Sequence, residues 1–318
     1  MGSPALAGLA AGPRGVTAFT GGPADAAAAT ATTATTATTA VGVVGAITDS
    51  DAPDLERRFG GLRRLYGEAG YQRVRQARVA VVGLGGVGSW AVEALARSGV
   101  ARLVLIDLDH IAESNINRQV QALGSTLGMA KAEALRQRIA DIHPACEVHV
   151  VEEFAGPDNW PALLPAAVDV LIDACDQSAA KLALAAWALH TGTAAVCVGA
   201  AGGKQQAQRV EVADLAEVTH DPLLASLRQR LRKQGAARAG RIGLACVFSR
   251  ENVAAPADQA CAADGTLNCH GYGSSVTVTA TFGLVAAGQA LRLCMASGVR
   301  PDAARAGASA LVSSDAPR

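Results

Sequence analysis

Four glycines and one carboxylate are spaced to hold a nucleotide. Gly83-Leu84-Gly85-Gly86-Val87-Gly88 follows the short apolar run Val79–Val82 and opens a segment of helical period. Glycines in such a turn let backbone N–H groups approach phosphate oxygens at a helix N-terminus, where the macrodipole favours anions. Gly83, Gly85, Gly86 and Gly88 are therefore the candidate phosphate cradle. A second apolar run, Leu103–Ile106, ends at Asp107, whose carboxylate is placed to accept hydrogen bonds from ribose hydroxyls. A glycine turn alone is weak evidence, but strand, turn, helix, strand and terminal acid in this order point to a nucleotide site.

The elements that must position these groups follow from periodicity. Val79–Val82 has the length and β-branching of a buried strand, and Val87, Trp90, Ala91, Ala94 and Leu95 form one apolar helical stripe that stops at Gly99. Met129–Ile142 reads as a helix closed by His143-Pro144, Glu147–Val151 as a strand, and Asp158–Leu164 as a short helix. Val168–Ile172 is a further buried strand leading into Asp173-Ala174-Cys175-Asp176, followed by a helix over Lys181–His190 and a strand over Ala194–Val198. Such alternation predicts an α/β, Rossmann-like, doubly wound and mostly parallel sheet with helices on both faces. Ligands bind beyond the carboxyl ends of such strands, so the glycine turn, Asp107 and Asp173–Asp176 should converge. The second half is less regular, with a strand at Gln208–Val212, a helix at Pro222–Arg232 and loop character over Ala254–Cys269. Val276–Met295 is long and apolar but interrupted by Thr277, Thr279, Thr281 and Gln289; it reads as a buried core helix, and no membrane is expected.

Composition limits the partners. Lys and Arg total 28 against 28 Asp and Glu, so no global charge attracts nucleic acid, and any such face must be local. The best local candidate is Leu227–Arg241, with Arg228, Arg230, Arg232, Lys233, Arg238 and Arg241 and no acid. Aromatics at 3% argue against a base-stacking platform. Seven cysteines without a CxxC pair suit a reducing, cytoplasmic compartment and exclude a zinc ribbon. Residues 1–53, rich in Ala and Thr, read as a low-complexity disordered extension without a secretory signal, 54–298 as the organised domain, and 299–318 as a disordered tail.

GLGGVGSW, LIDLDHIAESNINRQ, GMAKAEAL and DACD together resemble the adenylating superfamily of ThiF, MoeB and the ubiquitin-activating proteins. RFGGLRRLYG, GGVGSWAVEALARSG, EEFAGPDNW, HDPLLASLRQRLR, CVFSRE and VTVTATFG are similar to one branch, the tRNA threonylcarbamoyladenosine dehydratases, over roughly Arg57–Ala296. The resemblance implies ATP-dependent cyclisation of that nucleoside beside the tRNA anticodon, through an acyl-adenylate of its threonyl carboxylate. It assigns Asp107 to the ribose, and Asn115, Arg118 and the adjacent Gln119 to the loop near the phosphates. Lys131 would reach the phosphates from the following helix, Asp176 would hold magnesium, and Asp173 ranks behind it as a cofactor contact or strand-end cap. Arg58 would be lent to a partner subunit's phosphates in a homodimer. ATP and Mg2+ are the implied cofactors, with a monovalent cation beside them. A cysteine desulfurase or sulfur-acceptor protein is a further implied partner.

Three other classes compete. Adenylation of a sulfur-carrier protein's C-terminus, the ThiF and MoeB role, uses the same site, but the zinc cysteines of those relatives are missing. A nicotinamide dehydrogenase shares the glycine turn but not the doubled Gly85-Gly86 or the Asn115/Arg118 loop. A non-catalytic scaffold for a desulfurase predicts no nucleotide turnover. Cys246 and Cys269 stand at family-like positions yet read as small buried or loop residues, and His143 and His270 have no catalytic partner in sequence.

Overall fold

The computed structural model describes residues 52–253 and 272–296. The Ala/Thr extension up to residue 51, the whole Ala254–Cys269 loop, His270 and the tail lie outside the described residues. Two helices, α1 (Leu55–Phe59) and α2 (Gly61–Gln76, interrupted at Gly67), lead into β1 (Arg78–Val82). Then follow α3 (Gly88–Arg97), β2 (Arg102–Ile106), α4 (Lys131–Ile142), β3 (Glu147–Val151), β4 (Val170–Asp173), α5 (Ser178–Thr191) and β5 (Ala194–Val198). The second half adds β6 (Val210–Asp214), α6 (Pro222–Lys233), β7 (Ala245–Ser249) and α7 (Val276–Ala296).

The strands form one sheet in the order β3-β2-β1-β4-β5-β7-β6, parallel throughout except β6 against β7. This is the predicted doubly wound, mostly parallel architecture. The winding reverses between β1 and β4, which makes their carboxyl ends the switch point where ligands bind. Both faces are covered: Val79 and Val81 face α3, α4 and α7, while Ala80 and Val82 face Trp160, Leu171 and Leu184. Each fully buried Val or Leu contributes on the order of 1.5–3 kcal/mol, so this two-sided burial anchors β1 at the centre.

The long apolar helix α7 is a core helix. Val278, Phe282, Ala286 and Ala290 are buried in the same cluster as α3. A Cβ on Gly283 would overlap the Val87 carbonyl and stand 2.8 Å from Trp90 Cβ, so glycine there lets α7 cross directly over the start of α3.

Two local expectations change, and one strand is unforeseen. The helix predicted from Met129 begins at Lys131, because Met129 is tied to the preceding crossover: Ile111 donates to its carbonyl at 2.9 Å and His110 bridges Ala130. Asp158–Leu164 is turns rather than a helix; Pro161 and Pro165 each lack an N–H for an i→i−4 bond, and only isolated turn bonds such as Trp160 N–H to Gly156 O form. Ala245–Ser249 has no period that predicts a strand, yet it is β7, buried between β5 and β6.

Candidate active site

The glycine turn interlocks with the end of β4. Gly83 N–H donates to Ile106 O at 2.9 Å, and Ala174 N–H donates to Val82 O at 2.9 Å. Gly83 has φ +85°, and a Cβ there would lie 2.8 Å from the Ala174 and Cys175 backbone. A Cβ on Gly88 would overlap Gly83 O, and one on Gly86 would press on the Arg118 side chain at 3.2 Å. Gly85 differs: its φ is not in the left-handed region and nothing lies within 4 Å of the position a Cβ would take. Protein packing accounts for Gly83, Gly86 and Gly88, whereas the open space in front of Gly85 suits close approach by a ligand. Val87 caps α3 without a side-chain hydrogen bond; Ser89 N–H is taken by Gly85 O at 3.1 Å, so the helix offers an anion its dipole and the remaining first-turn N–H groups.

Asp107 closes the adjoining side. It is 8% exposed; Oδ2 accepts from Leu84 N–H at 2.6 Å and Oδ1 from Asp109 N–H at 2.8 Å. Burial pushes its carboxyl above the ordinary value, against the opposing pull of Lys131 and of the two N–H donors. Each oxygen retains lone-pair capacity for a ribose hydroxyl.

The crossover after β2 builds the next wall. Asn115 Oδ1 accepts from Ala112 N–H at 3.0 Å, and its carbonyl receives Arg118 N–H at 3.1 Å and Gln119 N–H at 3.0 Å. Asn115 therefore shapes the loop from within. Trp90 Nε1 on α3 donates to Arg118 O at 2.9 Å, which fixes Arg118 against the glycine turn. The Arg118 guanidinium donates to Ser114 O at 2.6 Å and Asn117 Oδ1 at 3.0 Å, and no carboxylate among the described residues pairs with it. Burial alone lowers its pKa. A half-buried guanidinium with only neutral partners is a ready seat for phosphate.

Lys131 stands at the first turn of α4. It is 7% exposed at the side chain and donates to Asp109 Oδ2 at 2.6 Å. Asp109 is absent from the residues read as functional, although the D-x-D spacing carried the signal. Its N–H holds Asp107, its carbonyl accepts Lys131 N–H at 3.0 Å, and its half-exposed carboxylate holds the Lys131 ammonium. Gln121 had no signal in sequence. It is 2% exposed, and its Nε2 donates to Leu84 O at 3.0 Å and to Gln119 Oε1 at 3.1 Å, tying Gln119 to the glycine turn.

At the end of β4 the two acids have opposite environments. Asp173 is not free to bind a cofactor. Oδ2 accepts from Lys181 Nζ at 2.8 Å and from the Cys197 thiol at 3.2 Å, and Oδ1 from Cys175 N–H at 3.2 Å and its thiol at 2.9 Å. Burial would lower the Lys181 pKa, but the Asp173 carboxylate beside it more than offsets this and raises it. The nucleotide contact expected of Asp173 thus gives way to a buried ion pair. Asp176 is exposed beyond the strand end and has no hydrogen bond or ion pair with a described residue. It is the open carboxylate at the switch point.

Arg58 is not brought to this site within the chain. Its Nη1 donates to the carbonyls of Asp141 (2.9 Å) and Ile142 (2.8 Å) at the last turn of α4, about 16 Å along the helix from Lys131. Cys246 is fully buried in β7 beside Cys197, and burial pushes the Cys175 and Cys197 thiols well above the usual range, which makes them poor nucleophiles. The basic segment divides. Arg228 donates to Leu215 O and Val218 O, and Arg241 lies 3.7 Å from Asp214, so both serve the fold. Arg230 donates to Ser178 O at 2.8 Å, which places α6 beside the start of α5 and hence near Asp176. Lys233 and Arg238 are exposed.

Residues 58–310 match the model of the ThiF family. The chain is 42% identical over 267 residues to a tRNA threonylcarbamoyladenosine dehydratase of Escherichia coli (strain K12), covering 80% of this chain and 99% of that one. It is 40% identical over 240 residues to the protein of the same name from Haemophilus influenzae, covering 73% and 91%. The crystal structure of the E. coli dehydratase in complex with ATP superposes with a TM-score of 0.69 at 40% identity, covering 79% of this chain and 97% of that chain. The complex with AMP gives 0.70 over the same shares.

Proposed function

Because the chain belongs to the ThiF family, we propose that it dehydrates threonylcarbamoyladenosine in tRNA, next to the anticodon, with ATP converted to AMP and diphosphate. The reading is supported by relatives of that name, matched over nearly their whole length. The observation that carries it to this chain's own residues is Arg118: a partly desolvated cation without a counter-charge, pressed against Gly86 at the mouth of the cradle.

Hydroxide is a poor leaving group, so a carboxylate does not lose water directly. The threonyl carboxylate attacks the α-phosphorus of ATP, diphosphate leaves, and an acyl-adenylate forms. A nucleophile of the same modification then attacks the acyl carbon and displaces AMP, which carries away the carboxylate oxygen and closes the ring. The nucleoside has lost one water, and no enzyme thiol is needed. The protein contributes positioning and charge stabilisation. Asp107 holds the ribose, the turn at Gly85 and the start of α3 receive the phosphates, and Arg118 and Lys131 face the charge that builds on them. Lys131 moves from Asp109 to phosphate when the nucleotide enters. Asn115, Gln119 and Gln121 keep the loop in shape.

Asp176 suits magnesium, which takes oxygen ligands and usually keeps several waters. Asp176 would hold the ion, which when bound would supply positive charge to the phosphate oxygens. No cluster of three or more His, Cys, Asp or Glu side chains exists among the described residues, so one carboxylate with phosphate and water oxygens is the donor set. A monovalent cation would draw on carbonyl oxygens rather than on side chains. The homodimer we infer lends Arg58 to the partner's phosphates, which requires it to leave the carbonyls at the end of α4. Arg230, Arg232 and Lys233 of α6 face the tRNA backbone. The reading also places the protein in the cytoplasm, with a desulfurase or sulfur acceptor as a further partner.

Asp176→Asn tests the assignment. The variant keeps the melting temperature of the parent, because no internal contact is lost, and forms no AMP in the presence of substrate tRNA and Mg-ATP. Unchanged AMP formation removes Asp176 from the mechanism.

A further inference from the structure

The nucleotide half of the sheet edge lies over β2, β1 and β4; the carboxyl ends of β5 and β7 form the other half. The chain leaving β5 runs through Gly199-Ala200-Ala201-Gly202-Gly203 to Lys204, a stretch with no side chain larger than a methyl before the lysine. Three buried charged residues pin it. Lys204 is 2% exposed, and its ammonium donates to Glu251 O at 2.9 Å, Ser249 O at 3.1 Å and His220 O at 3.4 Å. Asp221 Oδ2 accepts from Ala200 N–H at 2.9 Å while Oδ1 caps α6 through Leu224 N–H at 2.9 Å. The Glu251 carboxylate accepts from Gln205 N–H at 3.0 Å and Gln206 N–H at 2.8 Å.

Three protons of one ammonium therefore meet three carbonyls, two at the end of β7 and one in the turn before α6. His220 adopts φ +59°, which is rare for a residue with a Cβ, and its carbonyl is turned to Lys204. No carboxylate bonds the ammonium directly; burial lowers its pKa, and the charges of Asp221 and Glu251 oppose that shift while both acids hold the same loop by their own N–H bonds. The arrangement is that of a cation organising a loop, with the cation supplied by the chain.

Resting on the dehydratase reading, we propose that Lys204 is a positioning residue for the acyl substrate: its ammonium fixes the loop after β5 as the seat of the threonylcarbamoyl group. With ribose over β1 and β2 and phosphates turned toward β4, the carboxylate must reach the α-phosphorus from the β5 side. Gly199 is small because Asp221 packs directly on it, whereas Ala200 and Gly202 stay partly exposed on that side. Lys204 itself touches carbonyls, not substrate, and acts through the loop.

The test compares Lys204→Met, neutral and of similar length, with the parent protein. The expected result is a roughly ten- to hundredfold loss in kcat/KM for modified tRNA, with the KM for ATP changed less than about twofold. In Lys204→Ala, added propylammonium restores part of the loss and 1-propanol, which fills the same space without the charge, does not; a packing defect would respond to both. Equal losses for ATP and tRNA without alkylammonium rescue, or no loss at all, overturn the proposal. A parent protein that binds Mg-ATP but leaves the nucleoside unchanged overturns the dehydratase reading instead. Amide hydrogen exchange then decides Lys204 separately: faster exchange at Ala200–Gln206 with the glycine turn unchanged in Lys204→Met supports the clamp, and unchanged exchange at both overturns it.

Discussion

Gly85 and Gly88 separate two reasons for glycine in one turn. A Cβ on Gly88 collides with Gly83 O, whereas a Cβ on Gly85 meets open space. Gly88→Ala should therefore lower the melting temperature by several degrees, in line with a cost of about 1–3 kcal/mol for overpacking. Gly85→Ala should melt like the parent and raise the KM for ATP by roughly tenfold or more, as blocked approach to phosphate would require. A Gly85→Ala protein with normal ATP kinetics would refute the cradle. At this scale the sequence pointed to groups whose chemistry depends on spacing, the glycines and Asp107, and passed over Asp109 two residues on. The resemblance ranked Asp176 ahead of Asp173, but the physical reason is visible only in the fold, which sets Lys181 against one and leaves the other exposed. Gln121 was equally invisible, since a glutamine in a polar loop carries no mark of burial.

Helix α4 links the site to a pH-sensitive end. Lys131 opens it, and at its other end Arg58 caps the last carbonyls while His143 packs on Phe59 at 4.8 Å between ring centroids and lies 2.9 Å from Arg75 Nη1. Burial first, then the charges of Arg75 and Arg58, holds the His143 ring down at about 4 from an ordinary 6.5. The unfolded chain therefore takes up a proton below pH 6.5 that the folded chain refuses until about pH 4. Stability contributed by neutral His143 is complete above 6.5 and is lost as the pH falls through that window. Thermal melts between pH 7 and pH 4.5 should show a decline that is shallower in His143→Gln; identical slopes would show that His143 stays out of the transition. Elements with a strong period were readable in sequence, among them β1, α3, α4 and α7. The turns at Asp158–Leu164 and the strand β7 were not, because two prolines and a sheet neighbour decided them rather than local pattern.

At the scale of the whole molecule, we assign one sheet edge two jobs: a nucleotide over the carboxyl ends of β1, β2 and β4, and an acyl substrate over that of β5. The overall charge is balanced, so tRNA must be held by local positive charge, and α6 is the face that Arg230 brings beside the switch point. Replacing Arg230, Arg232 and Lys233 with Gln should weaken tRNA binding and flatten the dependence of log affinity on log salt by about two to three units, one counterion released per lost phosphate contact. An unaltered slope would move the tRNA face elsewhere. The most direct measurement is nucleoside mass spectrometry on tRNA bearing threonylcarbamoyladenosine, incubated with the protein and Mg-ATP. Loss of one water from that nucleoside, with AMP formed in equal amount, is the predicted result. An unchanged nucleoside, under conditions where ATP still binds, would contradict the dehydratase account and favour a carrier-protein carboxylate as the group that is adenylated.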